Sequence, residues 1–161
     1  MRILAAVMTV AALLLAPRSF GAEEEGKAPQ FSLERAQGGL ITSEDITGHL
    51  TILNFWATWC VPCVQEIPHL ENAFKKYEAE GLRIIGVNFG QGKAQVTRFL
   101  GKRPVSYPVA LDPDGILSRH FHVSALPFSV LIGADGQTLD KYVGALTEAR
   151  IERWIQEAAG K

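Results

Sequence analysis

The chain contains two cysteines, Cys60 and Cys63, spaced as Cys-Val-Pro-Cys. Thiols three residues apart lie within disulfide reach, so the pair can cycle between dithiol and disulfide. Residues 50–57, Leu-Thr-Ile-Leu-Asn-Phe-Trp-Ala, are a near-continuous run of β-formers of the kind a sheet buries on both faces. Cys63, Ile67, Leu70, Phe74 and Tyr77 then recur at intervals of four and three, the stripe of a helix packed on that sheet. Cys60 therefore falls at the helix start, where unpaired backbone N–H groups and the macrodipole favour a thiolate. Pro62 suits the first turn, because its missing N–H costs nothing there and its φ is already helical. The chemistry expected is attack by Cys60 on the disulfide of a partner, followed by resolution of the mixed disulfide by Cys63.

Other uses of the pair fit less well. Structural zinc needs four ligands, and His49, His69, His120 and His122 form no second pair that matches the cysteines. His120 and His122 stand at i and i+2 where a short helix gives way to a loop, and they read as surface or capping residues. No metal site is expected. A merely structural disulfide is the other alternative. Trp59 beside the first cysteine, Pro62 between the two and the strand-to-helix position weigh against it. No glycine-rich dinucleotide loop precedes a helix, so no nicotinamide cofactor is expected and a protein must donate the electrons.

The elements that position this turn can be read in order. Residues 30–33 and 40–42 are short edge strands joined by a turn at Gly38-Gly39, and residues 43–48 are a helical turn or loop. Gly81 stops the first helix. Residues 83–89 are a second buried strand, parallel to the first because a helix makes the crossover. Residues 93–100 are helical and ended by Gly101 and Pro104, residues 107–110 form a short strand, residues 112–115 turn, and residues 116–121 form a short helix. Residues 128–133 and 138–143 are antiparallel strands around an Asp135-Gly136 turn. Thr147 caps a last helix with Ile151, Trp154, Ile155 and Ala158 on its apolar face.

The N-terminus has a positive start, an apolar run over residues 3–16 and small residues around Gly21 and Ala22, the pattern of a secretory signal. Residues 1–21 are expected to be a signal peptide, or an uncleaved anchor, and residues 22–28 a flexible leader. The domain then spans residues 29–161, enough for one core. The whole chain has a formal charge of -1, and removing Arg2 and Arg18 leaves 14 basic against 17 acidic residues, about -3. That balance gives no reason to expect nucleic acid or an anionic membrane as partner.

The segment Asn54-Phe55-Trp56-Ala57-Thr58-Trp59-Cys60-Val61-Pro62-Cys63 resembles the active site of the thioredoxin superfamily, and more narrowly that of the exported TlpA/ResA/DsbE group. The run from Ser124 through Leu126, Pro127 and on to Ile132 is similar to the family's proline loop and the strand that follows. The resemblance extends from about Pro29 to Ile155. It implies a thioredoxin-like α/β fold: a central mixed β-sheet flanked by helices, with an N-terminal β-extension and a central helix-strand insertion between Val87 and Asp112. It also implies that Pro127 is the family's cis-proline, facing the dithiol across a substrate groove, with the backbone of Leu126 free to pair with an extended substrate.

Glu66 lies one helical turn beyond Cys63, beside that sulfur at the margin of the apolar stripe. On residue type alone it is a solvated helix residue. The resemblance makes it a buried carboxylate that tunes the thiols, because Asn54 stands where thioredoxin has an aspartate. Burial would raise its pKa towards neutrality, where it could take and return the Cys63 proton. Pro68 matches the family's helix-kinking proline, and Trp59 is positioned to shield the site or contact a partner. The expectation is thus an exported, periplasmic thiol-disulfide oxidoreductase that reduces disulfides in protein substrates. Apocytochrome c is one candidate substrate, and a membrane thiol carrier of the DsbD or CcdA type is the implied electron donor. A peroxiredoxin-like thiol peroxidase and a non-catalytic binding module with a structural disulfide are the alternatives.

Overall fold

The computed structural model describes residues 26–160; the expected signal segment and the first residues of the expected leader lie outside them. Ser32–Arg35 (β1) and Leu40–Thr42 (β2) form an antiparallel hairpin. Gly38 and Gly39 turn it at φ of 103° and 83°, backbone that residues with a Cβ avoid. Thr51–Trp56 (β3) leads into Val61–Tyr77 (α1), and the chain crosses to Arg83–Phe89 (β4), Lys93–Lys102 (α2) and Val109–Asp112 (β5). Ile116–His120 (α3), Phe128–Ile132 (β6), Thr138–Val143 (β7) and Glu148–Ala159 (α4) complete it.

The strands form one mixed sheet in the order β2-β1-β5-β4-β3-β6-β7. β3, β4 and β5 run parallel, as their helical crossovers require, and the hairpin-linked strands on each side pair antiparallel. β3 is an interior strand, between β4 and β6, and all six of its residues are buried. One face of the sheet, with Ile52, Trp56, Ile84 and Leu111, packs on Ile67, Leu70 and Phe74 of α1 and on Ile151 and Trp154 of α4. Val96 of α2 joins that core. On the other face Leu53, Phe55, Val87 and Val130 meet Leu117 and Phe121 from α3 and its end. Gly86 lies in β4 where a Cβ would come within 3.1 Å of the Trp56 indole, so the bare backbone lets that ring lie against the sheet. Among the described residues no helix is long and apolar enough to cross a membrane.

Some boundaries differ from the sequence reading for local reasons. The first strand starts at Ser32 rather than residue 30, and the sixth ends at Ile132 rather than residue 133. α2 continues through Gly101 to Lys102, because a glycine lowers helix propensity without ending a helix. The strand expected at residues 107–110 lies at Val109–Asp112, so Asp112 ends a strand instead of opening a turn. Its buried carboxylate accepts hydrogen bonds from the Leu117 and Ser118 N–H groups and the Ser118 hydroxyl, which holds the start of α3. Residues 26–28, expected to be part of the leader, are fastened to the β6–β7 turn. Lys27 bridges to Gln137, the Ala28 N–H donates to the Gly136 carbonyl and the Thr138 N–H donates to the Gly26 carbonyl.

Candidate active site

β3 ends at Trp56, and the turn that follows is closed by a hydrogen bond from the Cys60 N–H to the Ala57 carbonyl at 3.1 Å. Cys60 is the N-cap of α1, and its sulfur accepts a hydrogen bond from the Cys63 N–H at 3.3 Å. Pro62 occupies the first turn of the helix. The two sulfurs are joined as a disulfide. Cys60 keeps 5% of its surface exposed whereas Cys63 has none, so the N-terminal sulfur is the one an incoming partner reaches first. Trp59 and Val61 on either side of it are about two-thirds exposed (65% and 66%), an apolar rim around an otherwise buried sulfur. Trp56, by contrast, lies in the core against Phe99, with ring centroids 5.3 Å apart.

Glu66 is 1% exposed. Its Oε1 accepts a hydrogen bond from Asn54 Nδ2 at 2.8 Å and its Oε2 one from the Leu146 N–H at 2.6 Å. Neither bond runs to Cys63. Burial disfavours the charged carboxylate and the two donors favour it; burial wins, and the pKa rises from 4.5 to about 7. Asn54 is itself oriented by a second bond, from its Nδ2 to Ser129 Oγ on the neighbouring strand β6. The glutamate is therefore held by the central strand on one side and by the segment before α4 on the other.

The peptide bond between Leu126 and Pro127 is cis. Phe55 of β3 is registered opposite Phe128 of β6, so the proline loop and the dithiol turn lie at the same end of these strands. Pro127 is buried and its carbonyl accepts a hydrogen bond from the Gly144 N–H at 2.9 Å, while Leu126 is half-buried and packs against both cores. Among the other residues singled out in the sequence, His120 packs edge to face on Phe121 and His122 is exposed at φ 57°. Pro68 lies within α1 and is exposed.

Sequence reasoning missed the partners that hold these groups in place. Asn54 was noted only for replacing an aspartate, yet it orients Glu66, and the signal was a lone amide in an otherwise apolar strand. Asn88 and Gln91, at the end of β4, form hydrogen bonds that reach the dithiol turn through Thr58. Asn88 carried the same signal, an amide in an apolar run, whereas Gln91, in the loop after the strand, carried none.

The model of the AhpC/TSA family matches residues 25–140. The thiol-disulfide oxidoreductase ResA of Bacillus subtilis is 36% identical over 132 residues, which cover 82% of this chain and 74% of that protein. Among solved structures, a thiol:disulfide interchange protein DsbE of Chlorobium tepidum is 34% identical with a TM-score of 0.76, covering 82% of this chain and 94% of that one. StoA of Bacillus subtilis is 25% identical with a TM-score of 0.71, covering 81% and 98%. With its Cys60–Cys63 pair at the head of α1, the chain belongs to the AhpC/TSA family and is a thiol-disulfide oxidoreductase of thioredoxin-like fold.

Proposed function

We infer that the protein works outside the cytoplasm as a reductant of protein disulfides, with Cys60 as the attacking thiol, Cys63 as the resolving thiol and Glu66 as the proton acceptor behind Cys63. The observation that carries this reading is the asymmetry of the site: one sulfur at a helix N-terminus within reach of solvent, the other fully buried one turn from a carboxyl poised near pH 7.

In the reduced protein the Cys60 thiolate attacks one sulfur of a partner's disulfide, and the other partner sulfur leaves as a thiolate that takes a proton from water. Cys63 then loses its proton towards Glu66 and attacks the Cys60 sulfur, expelling the second partner sulfur, which that proton neutralises. Two electrons pass to the partner, and the protein is left with the Cys60–Cys63 disulfide. A dithiol donor reverses the sequence; a membrane thiol carrier of the DsbD or CcdA type would fill that role. Trp59, Leu126 and Pro127 line the approach to Cys60, with the Leu126 backbone offered to an extended segment of substrate. An unfolded apocytochrome c, whose cysteines lie in extended chain, fits such a groove. The secretory pattern over residues 1–21 supports the periplasm as the place of this chemistry.

The test is the reduction potential of the pair, measured by equilibration with glutathione buffers. A value at or below about -250 mV is expected for a reductant. One near about -120 mV would make the protein an oxidant and reverse the electron flow.

A further inference from the structure

Gln91 follows β4 and is 5% exposed. Its side-chain amide faces Thr58, two residues before the attacking cysteine, and meets it twice. The Thr58 N–H donates to Gln91 Oε1 at 2.8 Å, and Gln91 Nε2 donates to Thr58 Oγ1 at 2.8 Å. The amide is oriented in turn by Asn88, whose Nδ2 donates to the same Oε1 at 3.1 Å. Asn88 is fully buried and registered opposite Trp56, the last residue of β3. From α2, Gln95 Nε2 also reaches Thr58 Oγ1, at 3.5 Å.

These contacts form a path from the end of one strand to the turn at the end of its neighbour. The turn is closed by the bond from the Cys60 N–H to the Ala57 carbonyl, and the Thr58 N–H within it is held by the Gln91 side chain. A two-point amide grip fixes both the position and the rotation of the Thr58 peptide. Cys60 is the N-cap of α1, and its thiolate is stabilised only while the sulfur stays at the helix N-terminus.

We propose that Gln91 is a positioning residue for the dithiol chemistry: by clamping Thr58 at both its N–H and its hydroxyl, it holds the Cys60 sulfur at the N-terminus of α1. The inference rests on the reading of Cys60 as the attacking thiol. It needs nothing about the physiological substrate or the direction of electron flow.

The test uses the full chain carrying Cys63→Ala, so that Cys60 is the one thiol present, and follows alkylation by iodoacetamide from pH 5 to 10. Adding Gln91→Ala is expected to move the midpoint of the alkylation profile upward by about one pH unit, which slows the reaction at neutral pH about tenfold. Thr58→Val removes only the hydroxyl end of the clamp and is expected to shift the midpoint less, in the same direction. Combining the two should give no more than Gln91→Ala alone, because both cut the same connection. A residue that merely supports the fold would lower the melting temperature and leave the midpoint unmoved. The proposal is overturned if the midpoint in either variant stays within 0.2 units of the parent's (roughly the resolution of such a titration), or if the two shifts add in full. Iodoacetamide reports Cys60 irrespective of partner, so a wild-type protein that proves to be an oxidant would leave this result standing.

Discussion

Glu66 sets two opposing influences against each other at one carboxyl: burial, which resists charge, and the Asn54 and Leu146 donors, which support it. With a folded pKa of about 7 against an ordinary 4.5, the native state keeps a proton between these pH values that the unfolded chain has released. Stability from this group is fully present below about pH 4.5 and is lost as pH rises through 7, by about 3 kcal/mol in all. Urea titrations of Glu66→Gln across pH 4 to 8 should therefore show a loss of stability smaller by about that amount than in the wild type. The same substitution should remove an inflection near pH 7 from the rate at which Cys63 resolves a mixed disulfide, measured by quenched flow. An inflection that persists in Glu66→Gln would assign the proton acceptor elsewhere.

Of the elements, α1 presents the dithiol and α4 keeps α1 and the sheet in register. Trp154 of α4 is fully buried, its indole N–H donates to Asp140 of β7 at 2.8 Å, and Tyr142 meets the ring edge to face. Arg150 bonds the same Asp140 carboxylate at 2.7 Å and lies over both rings. Trp154→Ala would empty this joint and is expected to cost about 3 to 5 kcal/mol in a urea titration. The segment that supplies the Leu146 N–H to Glu66 leads into α4, so the variant should also alter the pH dependence of the resolving step. Thr147 caps α4 as its residue type indicates, accepting the Arg150 N–H at 3.3 Å. α3 shows where element reading fell short. Its start is held by Asp112, a residue that the Asp-Pro-Asp-Gly pattern assigns to a turn, because the carboxylate bonds forward to residues 117 and 118 while its backbone completes β5.

At the scale of the whole molecule, the sheet brings three chain segments to one end of its strands: the β3–α1 turn, the end of β4 and the proline loop before β6. The opposite end is tied off by residues 26–28, which add backbone pairing to the β6–β7 turn. Trimming the chain through Ala28, instead of through Glu25, removes those bonds and is expected to lower stability by about 1 to 2 kcal/mol, with little change in Cys60 reactivity. Paired thermal melts and alkylation assays on the two trimmed chains check both halves of that statement.

The dithiol turn, the order of strands and helices and the parallel crossover were legible in the amino-acid sequence, because each is written in local spacing: cysteines three apart, apolar residues at helical intervals, β-formers in unbroken runs. Tertiary structure alone decided which distant groups hold the residues around the sulfurs. The resemblance already implied that Glu66 is buried, but not that the N–H of Leu146, 80 residues away, would bond it. Residues 26–28 found their place in the same way, through main-chain groups of a distant turn. Every residue except proline carries such an N–H, so residue types give no sign of which one will be used. Only the folded chain brings donor and acceptor together.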